Sequence, residues 1–274
     1  MKELFIRVAV AVVGIPLLVL VILKGSWWFF AFIALVTLLG QWEMGQLLKA
    51  KSIQAQMWAV YVLGLGMLYA TGFGLHLHMK LFWLAVFIIL FTAEMFRNKG
   101  SALLNTAGTL LVLVYPAVFL AALLYLRFHI HEILPQGRSE DGGIYILLIF
   151  IAVWACDTFA YFFGVSFGKH RLFERVSPKK SIEGAAAGLG GALLVFFAAR
   201  WLNALPLPAW QALAGGLIVG IGGQLGDLVE SWFKRDAGIK DSSKILPGHG
   251  GILDRFDSLL FIAPLFLLLY LIIK

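Results

Sequence analysis

Residues 4–23 read LFIRVAVAVVGIPLLVLVIL, twenty positions among which Arg7 is the only charge. A helix rises about 1.5 Å per residue and a bilayer core is roughly 30 Å thick, so a run of about 20 apolar residues is one crossing. The run is longer than the apolar core of a signal peptide and lacks a small-residue cleavage site, so it is read as a retained helix. The same texture recurs along the whole chain. Of 274 residues, 61% are hydrophobic and 14% charged, whereas soluble domains sit near 45–50% and about 25%. A soluble domain is excluded.

The periodicity and length of the apolar runs predict an all-α, polytopic helical membrane protein with about nine transmembrane helices. They fall near 4–23, 27–48, 57–75, 81–96, 102–126, 143–163, 183–203, 209–233 and 256–273. The third is the weakest because it carries several glycines. The reading is one integral membrane domain over 1–274, in which helices 1–126 hold no distinctive motif and 143–274 hold the chemistry. Cys156 is the single cysteine, so an intrachain disulfide is impossible; it is read as a small core residue. The net charge of +7 calls for no nucleic acid, because membrane proteins gather Lys and Arg in cytoplasmic loops.

That rule also orients the chain. With the N-terminus cytoplasmic, 16 of the 22 basic residues fall on the cytoplasmic side, five of them in loop 164–182 and five in 234–255. The segment 127–142 is then the one sizeable loop on the other face, and it is assigned no chemistry. The site is then expected to face the cytoplasm.

Charges within the spans carry the functional reading, since an ionised carboxylate near the bilayer centre costs on the order of 3 kcal/mol on insertion scales. Glu43, Glu94, Asp157, Asp227 and Glu230 are the acids in question. Glu94 sits close to Arg97 and is read as paired; Glu43 has no constellation around it, and its role stays open. Asp227 belongs to a pattern. In IGGQLGDLVESWFKR, Asp227, Glu230, Ser231 and Lys234 fall at i, i+3, i+4 and i+7, one face of a helix. Lipid cannot satisfy such a stripe, so it must face a water-filled cavity or a ligand.

The following loop ends in PGHGGILDRFDS, where Pro247 and Gly248 stop regular structure and Gly250 and Gly251 let backbone approach a ligand. Asp254 and Asp257 then open the last helix, and Asp257 alone has a plain reading as a cap. Asp227 and Asp254, from neighbouring helices, are the candidate metal ligands: Mg²⁺ typically takes one or two carboxylates and completes its shell with water and substrate phosphates. Lys234, Arg235, Lys240 and Lys244 suit a polyphosphate, and His249 is either a phosphate contact or a turn residue. In the second basic loop, Lys179, Lys180 and Ser181 precede Glu183 and Gly184 at a helix start, a place able to hold a phosphate. Asp157, in the upstream WACDTFAYFFG, is expected to line the same cavity. Metal-assisted phosphoryl or nucleotidyl transfer at the membrane surface follows.

At this point a resemblance enters. Ser231-x-Phe-Lys234-Arg235, then Lys240-Asp241-x-Ser243, then Leu246-Pro247-x-His249-Gly250-Gly251-Ile-x-Asp254-Arg255-Phe-Asp257 resembles the full signature of the phosphatidate cytidylyltransferases, or CDP-diacylglycerol synthases. DTFAYFFG and SPKKSIEG are similar to that family as well, with Ser181 standing where threonine is commonest. The resemblance implies that CTP and phosphatidic acid give CDP-diacylglycerol and pyrophosphate with Mg²⁺. It makes Asp227 and Asp254 the metal-binding acids. Lys234, Lys240, Asp241 and Arg255 join them in catalysis, and Ser231, Arg235, His249, Gly250, Gly251, Lys179, Lys180, Ser181 and Asp157 bind substrate. A second, monovalent cation, a homodimer and a place in the cytoplasmic (inner) membrane of a bacterium are implied by the family alone, and the membrane lipid is itself a partner. Two alternatives stand beside it: a CTP-dependent polyprenol-type lipid kinase, which would move one phosphoryl group, and an ion-coupled transporter, which should show two related halves with broken helices. A CDP-alcohol phosphatidyltransferase is disfavoured because that family's acidic motif is missing.

Overall fold

A computed structural model describes residues 2–74, 79–246, 248 and 250–274. Among these residues the chain forms nine helices: α1 Lys2–Lys24, α2 Ser26–Ala50, α3 Met57–Gly72, α4 Met79–Arg97, α5 Ala102–Ile133, α6 Asp141–Phe167, α7 Ile182–Trp201, α8 Ala209–Asp236 and α9 Leu253–Ile273. Of these, α2 and α5 to α9 are, among the described residues, the six long and apolar enough to cross a bilayer. The protein is therefore an all-α integral membrane protein. The nine helices follow the nine expected segments, but α3 has only 16 residues, and a count of nine crossings does not follow from them.

Breaks between helices come where backbone chemistry demands them. Gly25, between α1 and α2, has φ 62°, and Gly238, just past α8, has φ 73°, a region that favours glycine. Two helices contain a wider turn. In α5 the segment Leu113–Val118 is π-helical around Pro116, which has no N–H to donate and whose ring crowds the preceding turn. In α8 the π segment is Ile218–Gly223.

The expected outer loop at 127–142 is shorter than the sequence suggests. Helix α5 continues through Ile133, and Arg127 is a buried cap rather than a loop charge. Its Nε donates to Ile22 O at 2.9 Å and its Nη2 to Leu23 O at 3.2 Å. These carbonyls belong to the last turn of α1, where no intrahelical donor exists.

Of two apolar clusters among the described residues, the smaller gathers Ala59, Val86, Leu90, Leu113 and Ala117, and the larger runs from Val21 to Tyr270. Its aromatic centre is Phe196 on α7, Phe266 on α9 and Tyr145 on α6, with ring centroids 5.9 to 6.4 Å apart. Large side chains such as Leu103 and Trp201, both more than 80% exposed, face outward, as a lipid-facing surface requires. Small residues set the spacing of the helices that follow. A Cβ on Gly188 of α7 would come 2.9 Å from Cys156 O on α6, and one on Gly226 of α8 would come 2.7 Å from Asp257 O on α9. Backbones this close are the signature of small-residue packing between membrane helices. They bring Asp157, Asp227 and Asp257, each next to one of these contacts, into one neighbourhood.

Between α6 and α7 lies a hairpin that the sequence pattern does not announce: β1 Arg171–Phe173 pairs antiparallel with β2 Ser177–Ser181, with Arg171 opposite Ser181 and Phe173 opposite Ser177.

Candidate active site

The polar stripe of α8 divides by depth. Glu230 and Lys234 are buried, at 1% and 8% exposure, while Asp227 lies at the wall of a cavity. Lys234 Nζ is 2.5 Å from Glu230 Oε2 on its own helix and 2.5 Å from Asp254 Oδ1 on α9. A buried ammonium needs paired charge on more than one side, and this one has it. Asp227 Oδ2 meets Lys180 Nζ at 2.5 Å, across from β2, and its Oδ1 accepts from Ser231 Oγ at 3.3 Å.

Asp254 is held from both sides. Opposite Lys234, its Oδ2 accepts from Gly251 N at 2.7 Å, Ser242 Oγ at 2.9 Å and Ser242 N at 3.0 Å. The signature loop thus folds around this carboxylate, and Leu246 and Gly250 close it with a backbone bridge. Ser181 caps α7, its Oγ accepting from Gly184 N at 3.1 Å, as serine at an N-cap does. Glu183 turns back to accept from the amides of Lys169 and His170 and lies 2.6 Å from His170 Nδ1, so this helix start is held by its own side chains.

Two cavities result. The first, about 420 Å³, is lined by the acids Asp157, Asp227, Asp241, Asp254 and Asp257 and by Lys234, Arg235, Lys240 and Arg255, with Phe150, Val153, Trp154 and Leu259 as its apolar wall. The second, about 640 Å³, shares Asp157 and Asp227 with the first. It is lined by Lys179, Lys180 and Ser181 on one side and by apolar surface from Tyr161, Val165 and Leu172. A strongly charged chamber and a half-apolar one therefore meet at two aspartates. Such a junction suits a polyanion on one side and an amphiphile with a charged head on the other.

Of the residues singled out in the sequence, Asp157, Asp227, Asp254, Lys234, Arg235, Lys240, Asp241 and Arg255 come together in the first cavity, and Lys179, Lys180 and Ser181 line the second. Ser231 touches the site through Asp227. Gly250 and Gly251 shape the loop and line neither cavity; Lys244 lines neither. His249 lies outside the described residues, as does Pro247. Among the described residues no group of three His, Cys, Asp or Glu side chains is set to hold a metal by itself. Asp227 and Asp254 nevertheless open on the same cavity, and an oxygen-only pair beside Lys234, Arg235, Lys240 and Arg255 fits Mg²⁺, which leaves most of its shell to water and other oxygen ligands.

Sequence reasoning left Glu43 unassigned. It is fully buried on α2, and both its oxygens reach the signature loop. Oε1 accepts from Ser243 Oγ at 2.6 Å and Ile252 N at 2.8 Å; Oε2 accepts from Leu253 N at 2.7 Å and Ser242 Oγ at 2.8 Å. The N-terminal amides of α9 are capped from another helix rather than by Asp257, whose Oδ1 accepts from the adjacent Ser258 N. No local pattern marks it, since Thr37, Gln41 and Gln46 are polar positions of the same helix.

Residues 5–273 match the cytidylyltransferase family. The chain belongs to that family. A phosphatidate cytidylyltransferase of Synechocystis sp. is 37% identical over 278 residues, covering 94% of each chain. Phosphatidate cytidylyltransferases of Staphylococcus aureus (strain COL) and Staphylococcus haemolyticus are 52% and 51% identical over 130 and 129 residues, 47% of this chain and 50% of theirs.

Proposed function

We propose that this membrane cytidylyltransferase joins CTP to phosphatidate, giving CDP-diacylglycerol and pyrophosphate. The observation that supports it is the junction of a charged and a half-apolar cavity at Asp157 and Asp227. CTP belongs in the charged chamber, where Lys234, Arg235, Lys240 and Arg255 offset its phosphates. The lipid headgroup belongs in the neighbouring chamber against Lys179, Lys180 and Ser181, with its acyl chains leaving over the apolar wall.

An oxygen of the lipid phosphate attacks the α-phosphorus. A new phosphorus–oxygen bond forms, the α–β bridge breaks, and pyrophosphate leaves with the electron pair. The lipid phosphate is already an anion, so no protein nucleophile is needed, and the chain's task is positioning and charge neutralisation. Asp227 and Asp254 would hold Mg²⁺, which supplies charge stabilisation at the transferring phosphoryl oxygens. Lys180, the partner of Asp227, orients that carboxylate and faces the lipid phosphate. A monovalent cation beside Mg²⁺ and assembly as a homodimer complete the proposal on family resemblance. The basic loops 164–182 and 234–255 support a site on the cytoplasmic face.

The test is product analysis with purified protein, CTP, phosphatidic acid and magnesium. Label from CTP carrying α-³²P should enter the lipid with release of pyrophosphate. Label entering only from the γ-phosphate would make the protein a lipid kinase instead.

A further inference from the structure

We infer that Glu43 is a positioning residue for Asp254: from a helix outside the signature, it fixes the loop that aims the metal-binding carboxylate. The inference rests on the cytidylyltransferase reading of the site. Four donors converge on the Glu43 carboxylate, two amides at the start of α9 and the hydroxyls of Ser242 and Ser243. The Ser242 Oγ lies 2.8 Å from Glu43 Oε2 and 2.9 Å from Asp254 Oδ2, so its one proton is shared between the two carboxylates and links them. Gly251 makes the approach possible: a Cβ there would overlap Ser242 Oγ and stand 2.6 and 2.7 Å from the Glu43 oxygens.

A carboxylate is required rather than an amide. Oε1 accepts two hydrogen bonds, and Oε2 accepts one from Leu253 N and shares the Ser242 proton, so glutamine would turn one of those positions into a donor facing donors. The loop would have to retreat from it. Asp254 follows, because it accepts from the amides of Ser242 and Gly251 and shares the Ser242 hydroxyl proton, all in that same loop. A misplacement of about 1 Å at a reacting group costs on the order of 100-fold in rate.

Full-length protein in lipid nanodiscs, as wild type, E43Q, E43D and S242A, decides the matter. Four quantities are read: melting temperature, hydrogen exchange of segment 242–256, Mn²⁺ binding without substrate, and kcat with KM for both substrates. E43Q is expected to lose about 100-fold in kcat, bind Mn²⁺ more weakly and exchange faster in 242–256, with KM for phosphatidate little changed. E43D, which keeps the charge, should recover a large part of kcat and Mn²⁺ affinity. S242A removes only the linking hydroxyl and should lower kcat and Mn²⁺ affinity at an unaltered melting temperature. Wild-type kcat and Mn²⁺ affinity in a folded E43Q overturns the inference. So does an E43Q that fails to fold while S242A keeps wild-type kcat and Mn²⁺ affinity, since Glu43 would then serve stability alone. Should wild-type protein transfer no cytidylyl group, the functional reading fails, and the Mn²⁺ series still decides whether Glu43 places Asp254.

Discussion

Glu43 and Glu94 are both buried carboxylates in the half of the chain that carries no signature, and they do different work. Glu94 on α4 accepts from Gln56, Asn105 and Arg97 at 2.8 to 2.9 Å. Its partners lie within 38 residues, and its charge is neutralised by an arginine on the same helix. Glu43 reaches partners 199 to 210 residues away and none of them is a cation. Its charge is met by helix-end amides and hydroxyls, which favour an anion at a helix start. One acid staples neighbouring helices; the other ties α2 to the chemistry. A buried acid is thus informative through where its donors come from, more than through its depth.

The largest effect should come from Asp227 and Asp254, two of the acids at the cavity. D227N and D254N each remove a carboxylate charge assigned to the proposed reaction, and turnover should fall by roughly 10³-fold or more, the scale of losing a group aimed at transition-state charge. Expression and membrane insertion should persist. Near-wild-type turnover in either variant, measured as labelled CTP entering lipid, would remove the site from where the cavity places it.

Next in size is G251A. The added methyl overlaps Ser242 Oγ and crowds both Glu43 oxygens, so it pushes Glu43 and Asp254 apart without altering any charge. Turnover should drop about 100-fold, with the melting temperature falling less than for a cavity in the core. If G251A matches wild type, the loop has slack and the contrast between the two glutamates loses its functional half.

E94Q sharpens the contrast from the other side. It weakens a buried ion pair of 2.8 Å and leaves the amides of Gln56 and Asn105 with a poorer acceptor. Stability should fall by about 1–3 kcal/mol, read as a lower melting temperature, while kcat of the folded fraction changes less than threefold by the same reasoning that distant sites act independently. A severe loss of kcat at unchanged stability would mean that the α3–α5 region feeds the site after all.

Much of this was legible in the sequence because the signal was periodic or contiguous. The i, i+3, i+4, i+7 stripe of α8 puts Asp227 and Lys234 on one face, and the Gly-Gly turn before Asp254 announces a tight approach. What stayed hidden depends on contacts between distant segments. Lys180 and Asp227 are 47 residues apart and meet only because the β1–β2 hairpin carries the lysine over α8. The hairpin itself is short and basic, so it has neither the length nor the alternation of an ordinary strand pair. Arg127 reads as a loop charge until α1 is seen to end beneath it. Glu43 has no local pattern at all, because a carboxylate that caps another helix needs nothing from its own neighbours.

The smallest effect is expected for a third acid, Glu132 near the end of α5. It accepts from Tyr270 Oη at 2.8 Å and Lys274 Nζ at 2.6 Å on α9 and the residue after it, and it lies 2.8 Å from His129 Nδ1, whose ring stacks on Tyr125. By number of partners it resembles Glu43. It differs in being about one-third exposed, so water can replace each lost partner, and exposed ion pairs contribute little. It also sits beside the C-terminal end of α9, whereas Glu43 binds the beginning of the same helix. E132Q should shift the melting temperature by less than about 3 °C and leave kcat and both KM values unchanged. If it instead slows turnover, α9 transmits position along its length, and the start of that helix would no longer be the place where its orientation is set.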